Sequence, residues 1–287
     1  MTIISAWASA GVIGGTFLAL LWLEHRFPLR RHVERTRPRL ARNLVVATTN
    51  LVAVRLVELP AILPLTAHVE RGGWGLLGHV ALPAWLAVPV ALLLLDYTLY
   101  IWHVLTHLVP FLWRFHVVHH VDLDLDVSTA LRFHFGEIVI SIAWRALQVV
   151  VIGVSPLALT IWQVVLLVSV LFHHSNLRLS VRAERWVNVL MVTPRMHGIH
   201  HSIVREETNS NWSSGLTFWD WLHGTLRLNV PQEAITIGVP AYPTPSRVTL
   251  GRILVLPFVT QPPSWRRSDG VEPARPLLAT PRARLVA

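Results

Sequence analysis

The sequence predicts an all-α protein: an integral-membrane helical bundle of about four to five membrane segments with a histidine-rich cap on its cytoplasmic side. Three observations predict it. The chain is 53% hydrophobic and only 14% charged over 287 residues, too apolar for an ordinary water-exposed surface. Its apolar residues gather in runs that cross, or nearly cross, a hydrocarbon core of about 30 Å at 1.5 Å per residue. Its histidines stand in short boxes at the ends of those runs or outside them.

Charge and cysteine usage narrow the classes. The 25 basic residues are all arginine and stand against 16 acids, for a net +9. An excess of that size suits nucleic acid or an anionic membrane surface, and the apolar runs select the membrane, so no nucleic-acid partner is expected. The absence of cysteine excludes disulfides, thiolate catalysis and cysteine-ligated zinc or iron–sulfur centres. Any metal must be held by His, Asp or Glu.

Residues 3–23 form the first expected segment, retained rather than cleaved because it lacks a basic start and ends on Trp22-Leu23. Arg26, Arg30, Arg31, Arg35, Arg37, Arg39 and Arg42 follow, fixing that loop in the cytoplasm by the positive-inside rule. The second segment, 44–65, contains Arg55 and Glu58, spaced to pair with each other. Thr66–His79 is expected to be an outer-side turn or a shallow re-entrant piece. Segment 82–108 then returns to the cytoplasm and delivers His103 and His107 at its mouth. Segments 138–153 and 157–172 form a hairpin of roughly 16 residues each, short against the usual 20 or so, which leaves open whether they span fully or re-enter. Arg145 within them should face protein. The cap comprises 110–136 and 173–260, giving one catalytic domain over 1–260, and the Pro/Arg-rich 261–287 is expected to be disordered.

The boxes are His103-x-x-x-His107, His116-x-x-His119-His120, His173-His174 and His197-x-x-His200-His201. On a helix, Asp96, Tyr100, His103 and His107 share nearly one face. His116, His119 and His120 stand at i, i+3 and i+4, so their rings can converge. A random scatter of the histidines would give one H-x-x-H-H in only ~5% of such chains, and this one has two. Such convergence suggests metal, because burying so many imidazoles at a membrane edge is costly without compensation. Isolated His25 and His68 read as interfacial or surface residues. Imidazole is compatible with Zn, Cu, Fe and Ni. The number of boxed residues is about twice what one tetrahedral zinc needs and suits two metals of higher coordination number. No H-E-x-x-H supplies the base of a zinc protease.

Over about residues 90–230 the chain resembles the fatty acid hydroxylase/sterol desaturase superfamily of integral-membrane di-iron enzymes. The resemblance is carried by Asp96-Tyr97 to His107, Arg114-Phe115-His116 to His120, Ser128 to Glu137, His174 to Leu177, Pro194 to Ser202 and Asn209 to Thr225, in the family's order. It implies two iron ions held by histidine, O2 as co-substrate and attack on a lipid C–H bond. Ligation falls to His103, His107, His116, His119, His120, His174, His197, His200 and His201, with His173 and His134 as further candidates. Asp96, Asp122, Asp126, Glu137, Asn176 and Asp220 are candidate acceptors for the ligands' other N–H groups. The chain departs from the pattern at Asn211-Trp212-Ser213, where the family often reads N-Y-G, and at His173, where glutamine is common. Hydroxylases, desaturases and ether-lipid oxygenases share these boxes, so the resemblance leaves the reaction among them open. Electrons must come from a separate ferredoxin, cytochrome or reductase-type donor, since no haem, flavin or iron–sulfur motif is present. A His-rich metal transporter is the competing class, disfavoured because transport sites lie near the midplane. A membrane protein with a vestigial site is a third reading. The lipid and the oligomeric state are not legible.

Overall fold

The computed structural model describes residues 6–275; residues 3–5 of the first expected segment and 276–287 of the expected tail lie outside them. It is helical, with isolated β-bridges and no strand among the described residues. Five helical stretches are long and apolar enough to cross a membrane: Trp7–Arg26, Thr36–His79, Trp85–Leu108, Phe135–Ile152 and Pro156–His174. The protein is an integral-membrane helical bundle.

Helix α1 (Ala6–Arg26) ends in the arginine loop. Helix α2 (Thr36–Ala53), a π-helical turn (Val54–Glu58) and α3 (Leu59–Gly72) follow one another without a break. The second crossing therefore starts earlier and ends later than the apolar run 44–65, because it begins among polar residues of the cap. The π turn has a local cause. Pro60 has no N–H to give to the preceding turn, and widening the helix just before it relieves the ladder. Arg55 and Glu58 do not pair, contrary to expectation. The wider turn leaves Arg55 exposed and aims Glu58 toward Arg145.

Short helix α4 (Gly75–His79) closes the end of the bundle away from the cap, where a Cβ on Gly75 would collide with the amide of Gly153. Helix α5 (Ala84–Leu108) returns to the cap, and α6 (Pro110–His120) lies within it. Helices α7 (Phe135–Ile152) and α8 (Pro156–His174) form the hairpin, at 18 and 19 residues slightly longer than their apolar runs. Gly153 turns the chain at φ 83°, and the Ser155 hydroxyl accepts from Ala158 N to start α8. Ile62, Leu95, Val149, Leu159 and Trp162 fill the core between α3, α5, α7 and α8.

The cap is completed by α9 (Val181–Asn188), α10 (Pro194–His200), α11 (Arg205–Thr208), α12 (Phe218–Leu222) and α13 (Leu250–Val255). Val46 of α2 packs in it with Val117, Val121, Val239 and Ile253. A buried ion network fastens cap to bundle. Arg39 binds both oxygens of Asp122 at 2.9 and 2.7 Å, the carboxylate of Asp126 and the Thr129 hydroxyl. Arg39, read from sequence as a topology signal, is thus wholly buried structure.

Residues 261–275, within the tail expected to be disordered, make contacts with the cap. Trp265 stacks on Trp113 at 5.5 Å, Ser264 joins Trp113 and Ala241, and Arg275 pairs with buried Glu207. Composition suggested disorder, but these few side chains find specific partners on the cap.

Candidate metal centre

Two groups of four histidines stand side by side where α5, α6, α8 and α10 meet. His103, His107, His120 and His200 form the first, and His119, His174, His197 and His201 the second. Within each, the donor nitrogens lie within 4.8 Å of one another. Helical spacing explains the groups. His103 and His107 are one turn apart on α5, whereas consecutive residues diverge by about 100°. His119 and His120 therefore go to different quartets, as do His200 and His201, and each H-x-x-H-H box serves both.

Backbone carbonyls fix the rings. His103 Nδ1 meets Trp212 O at 2.7 Å, His200 Nδ1 meets Ser210 O at 2.8 Å, and His174 Nδ1 meets Val170 O at 2.8 Å. A carbonyl only accepts, so each Nδ1 carries the hydrogen and leaves a lone pair on Nε2. In the second quartet the Nε2 atoms crowd together: His119 to His174 is 3.0 Å, His174 to His197 3.0 Å and His197 to His201 3.1 Å. The donors fit a cation. At an M–N distance of about 2.1 Å, donors at right angles stand ~3.0 Å apart and tetrahedral donors ~3.4 Å. The spacing therefore matches a centre of higher coordination number than tetrahedral zinc.

Electrostatics agree. Burial first, and neighbouring imidazoles second, push His119, His120, His197 and His201 below the ordinary imidazole range, and burial takes His200 down to about 3. The rings are neutral and ready to bind a cation. Both nitrogens of His107 and of His120, and Nε2 of His200, are buried without a partner.

Three expected ligands lie outside the quartets. His116 gives Nδ1 to Glu137 at 2.8 Å while its Nε2 is unpartnered, so it borders the first quartet as an oriented spare donor. His173 packs on His197 at 4.2 Å between ring centres but joins neither group. His134 caps α7. Its Nδ1 accepts from Gly136 N at 2.9 Å and its Nε2 meets Leu254 O at 3.0 Å, so neither nitrogen is free for metal.

The expected acceptors also divide. Glu137 touches His116 directly. Asp220 acts one step away: it accepts from Trp212 N and Ser213 N, both at 2.9 Å, and from the Thr225 hydroxyl, holding the loop whose Trp212 carbonyl orients His103. None of the hydrogen bonds of the other four reaches an imidazole among the described residues. Asp96 accepts from Leu216 N and Trp219 Nε1, Asp122 and Asp126 are occupied by Arg39, and Asn176 is tied to the backbone of Arg30. For Asp122 and Asp126 the charged guanidinium of Arg39 is a stronger donor than a neutral ring N–H.

A cavity of about 490 Å3 opens beside the quartets and runs into the bundle. His103, His116, His119, His174 and His197 border one end, Leu99, Leu131, Phe133, Leu166 and Leu167 its walls, and Glu58, Arg145 and Gln163 the other end. Sequence reasoning missed Gln163 and the approach of Glu58 to Arg145. A charged pair and an amide inside apolar segments were the available signal.

A model of the fatty acid hydroxylase family matches residues 88–225. The ornithine lipid hydroxylase OlsE of Rhizobium tropici is 31% identical over 196 residues, covering 68% of this chain and 55% of that protein. Cholesterol 25-hydroxylase of Mus musculus is 31% identical over 60% of this chain and 53% of its own length. Alkylglycerol monooxygenase of Homo sapiens is 30% identical over 47% of this chain and 29% of its own. The chain spans about half the length of the first two of these relatives. No solved structure matches it.

Proposed function

The chain belongs to the fatty acid hydroxylase/sterol desaturase superfamily, and on that premise we propose that it is a membrane-bound di-iron oxygenase that hydroxylates a lipid C–H bond. The observation that carries the proposal is the opening of two neutral imidazole quartets onto an apolar cavity within a membrane bundle. Iron held by His103, His107, His120 and His200, and by His119, His174, His197 and His201, would supply O2 activation and oxidising power. The chain's own residues do the rest. The carbonyls of Trp212, Ser210 and Val170 hold the rings in one tautomer. Glu137 orients His116 at the cavity wall. Leu99, Leu131, Phe133, Leu166 and Leu167 take the lipid's apolar body and keep water from the reacting carbon.

Hydroxylation is favoured over desaturation because the named relatives are hydroxylases and a monooxygenase. Electrons come from an external ferredoxin, cytochrome or reductase-type protein. The arginine loop supports a cytoplasmic side for the quartets by the positive-inside rule. Comparing all lipids of cells expressing the wild type or His119→Ala tests the reading. A lipid heavier by one oxygen is expected only with the wild type, and a lipid lighter by two hydrogens would make the enzyme a desaturase.

A further inference from the structure

The far end of the cavity carries polar groups that the proposed chemistry does not use. Arg145 of α7 lies with its Cζ 4.3 Å from the centre of the Trp162 ring on α8, and its Nε and Nη1 are buried without a hydrogen-bond partner. The ring face offsets part of the charge. It does not supply directional acceptors, and a guanidinium has five donors and no acceptor of its own. Unpaired donors inside a membrane bundle are costly. Glu58, on the π-helical turn, borders the same cavity and acts electrostatically on Arg145 without reaching ion-pair distance among the described residues. Gln163 follows Trp162 into the cavity wall and has no hydrogen bond among the described residues.

We propose that Arg145, Glu58 and Gln163 hold an uncharged hydroxyl at one end of the lipid, and that this anchor selects the carbon presented to the histidines. The proposal rests on the lipid-oxygenase reading and deepens it. A hydroxyl both accepts and donates, so it takes a hydrogen bond from Arg145 and gives one to the Glu58 carboxylate. A lipid carboxylate or phosphate suits Arg145 but meets the negative charge of Glu58, and a methyl end leaves every group unpaired. Gln163 stands ~16 Å along α8 from His174 at 1.5 Å per residue. That is about a dozen bonds of an extended chain, with C–C bonds near 1.5 Å advancing about 1.3 Å each. The ligand class is therefore a lipid alcohol oxidised about a dozen bonds from its hydroxyl.

Binding of 1-hexadecanol, its methyl ether and palmitate to the full-length protein, without added metal, tests the anchor through tryptophan emission, since Trp102, Trp144 and Trp162 line the cavity. The wild type should bind the alcohol about 10-fold more tightly than the ether, one charge-assisted hydrogen bond being at stake. Glu58→Leu should abolish that preference and leave ether affinity unchanged, whereas Arg145→Met should weaken alcohol and ether alike, since both oxygens accept from the guanidinium. Gln163→Leu, which removes no charge, should reduce the preference in the same direction. Equal binding of alcohol and ether, tighter binding of palmitate, or an unchanged preference in Glu58→Leu overturns the anchor alone. Failure of all three lipids to bind overturns the lipid-oxygenase reading with it.

Discussion

His119 and His120 are neighbours on α6, yet their rings go to different quartets. Replacing His120 with alanine removes one of four donors from the first quartet and none from the second. Loss of a residue that merely supports a ligand weakens a metal site roughly 10–100-fold, so loss of a ligand itself should empty the first site under mild chelation while the second keeps its ion. Iron-grown protein should fall from about two metal ions per chain to about one. His119→Ala should give the same step through the other site. The combinations separate the two. His120→Ala with His200→Ala strikes one quartet twice and should stay near one ion, whereas His119→Ala with His120→Ala should fall to about none. Metal analysis of purified protein gives the counts, and circular dichroism checks that the helices persist. Loss of both ions from the His120/His200 double variant, or from either single variant, would refute the division into independent quartets.

Asp220→Asn turns an acceptor of buried N–H groups into a donor facing one, and should cost ~1–3 kcal/mol in chemical unfolding. By loosening the Trp212 carbonyl it should also weaken metal at the first quartet by about 10-fold, a change that leaves the second site untouched. His134→Ala should lower stability by ~1 kcal/mol through loss of the α7 cap while metal content stays the same; a missing ion would restore His134 as a ligand. Burial raises the Asp122 carboxyl, but Arg39 and then Arg132 outweigh it and hold the group well below the usual carboxylate range. Its stabilising contribution is therefore full above the unfolded value near 3.9 and is lost as pH falls through the folded value. The wild-type unfolding midpoint should drop as the pH is taken from about 4 to about 2, and Asp122→Asn should start ~3–5 kcal/mol less stable and show a shallower drop. Parallel curves would show that the Arg39 network does not fasten the cap.

The membrane helices and the boxed histidines were legible because both depend on local periodicity: apolar runs of spanning length, and imidazoles at i, i+3 and i+4. What depended on contacts between distant segments was not. The split of His119 from His120 depends on which helices complete each quartet: α5 supplies His103 and His107 beside His120, α8 supplies His174 beside His119, and the box at His197 to His201 serves both. Asp122 and Asp126 looked like partners for imidazoles until Arg39, more than eighty residues away, took both carboxylates. His134 lies between two boxes in the sequence, but its position at the start of α7 gave its nitrogens to the backbone. Trp265 and Arg275 contradicted the composition of their own segment because two specific contacts suffice to seat a short tail. Glu137 was legible as a carboxylate one stretch beyond a box, and the structure sets it on His116.

Most direct is the fate of oxygen in a purified reaction. Iron-loaded protein in lipid nanodiscs, given membrane lipids, a reductant and isotopically heavy O2, should yield a lipid alcohol carrying the heavy oxygen, and His119→Ala should yield none. Heavy oxygen absent from every lipid, with two metal ions bound and reductant consumed, would contradict the assignment of the quartets to lipid hydroxylation.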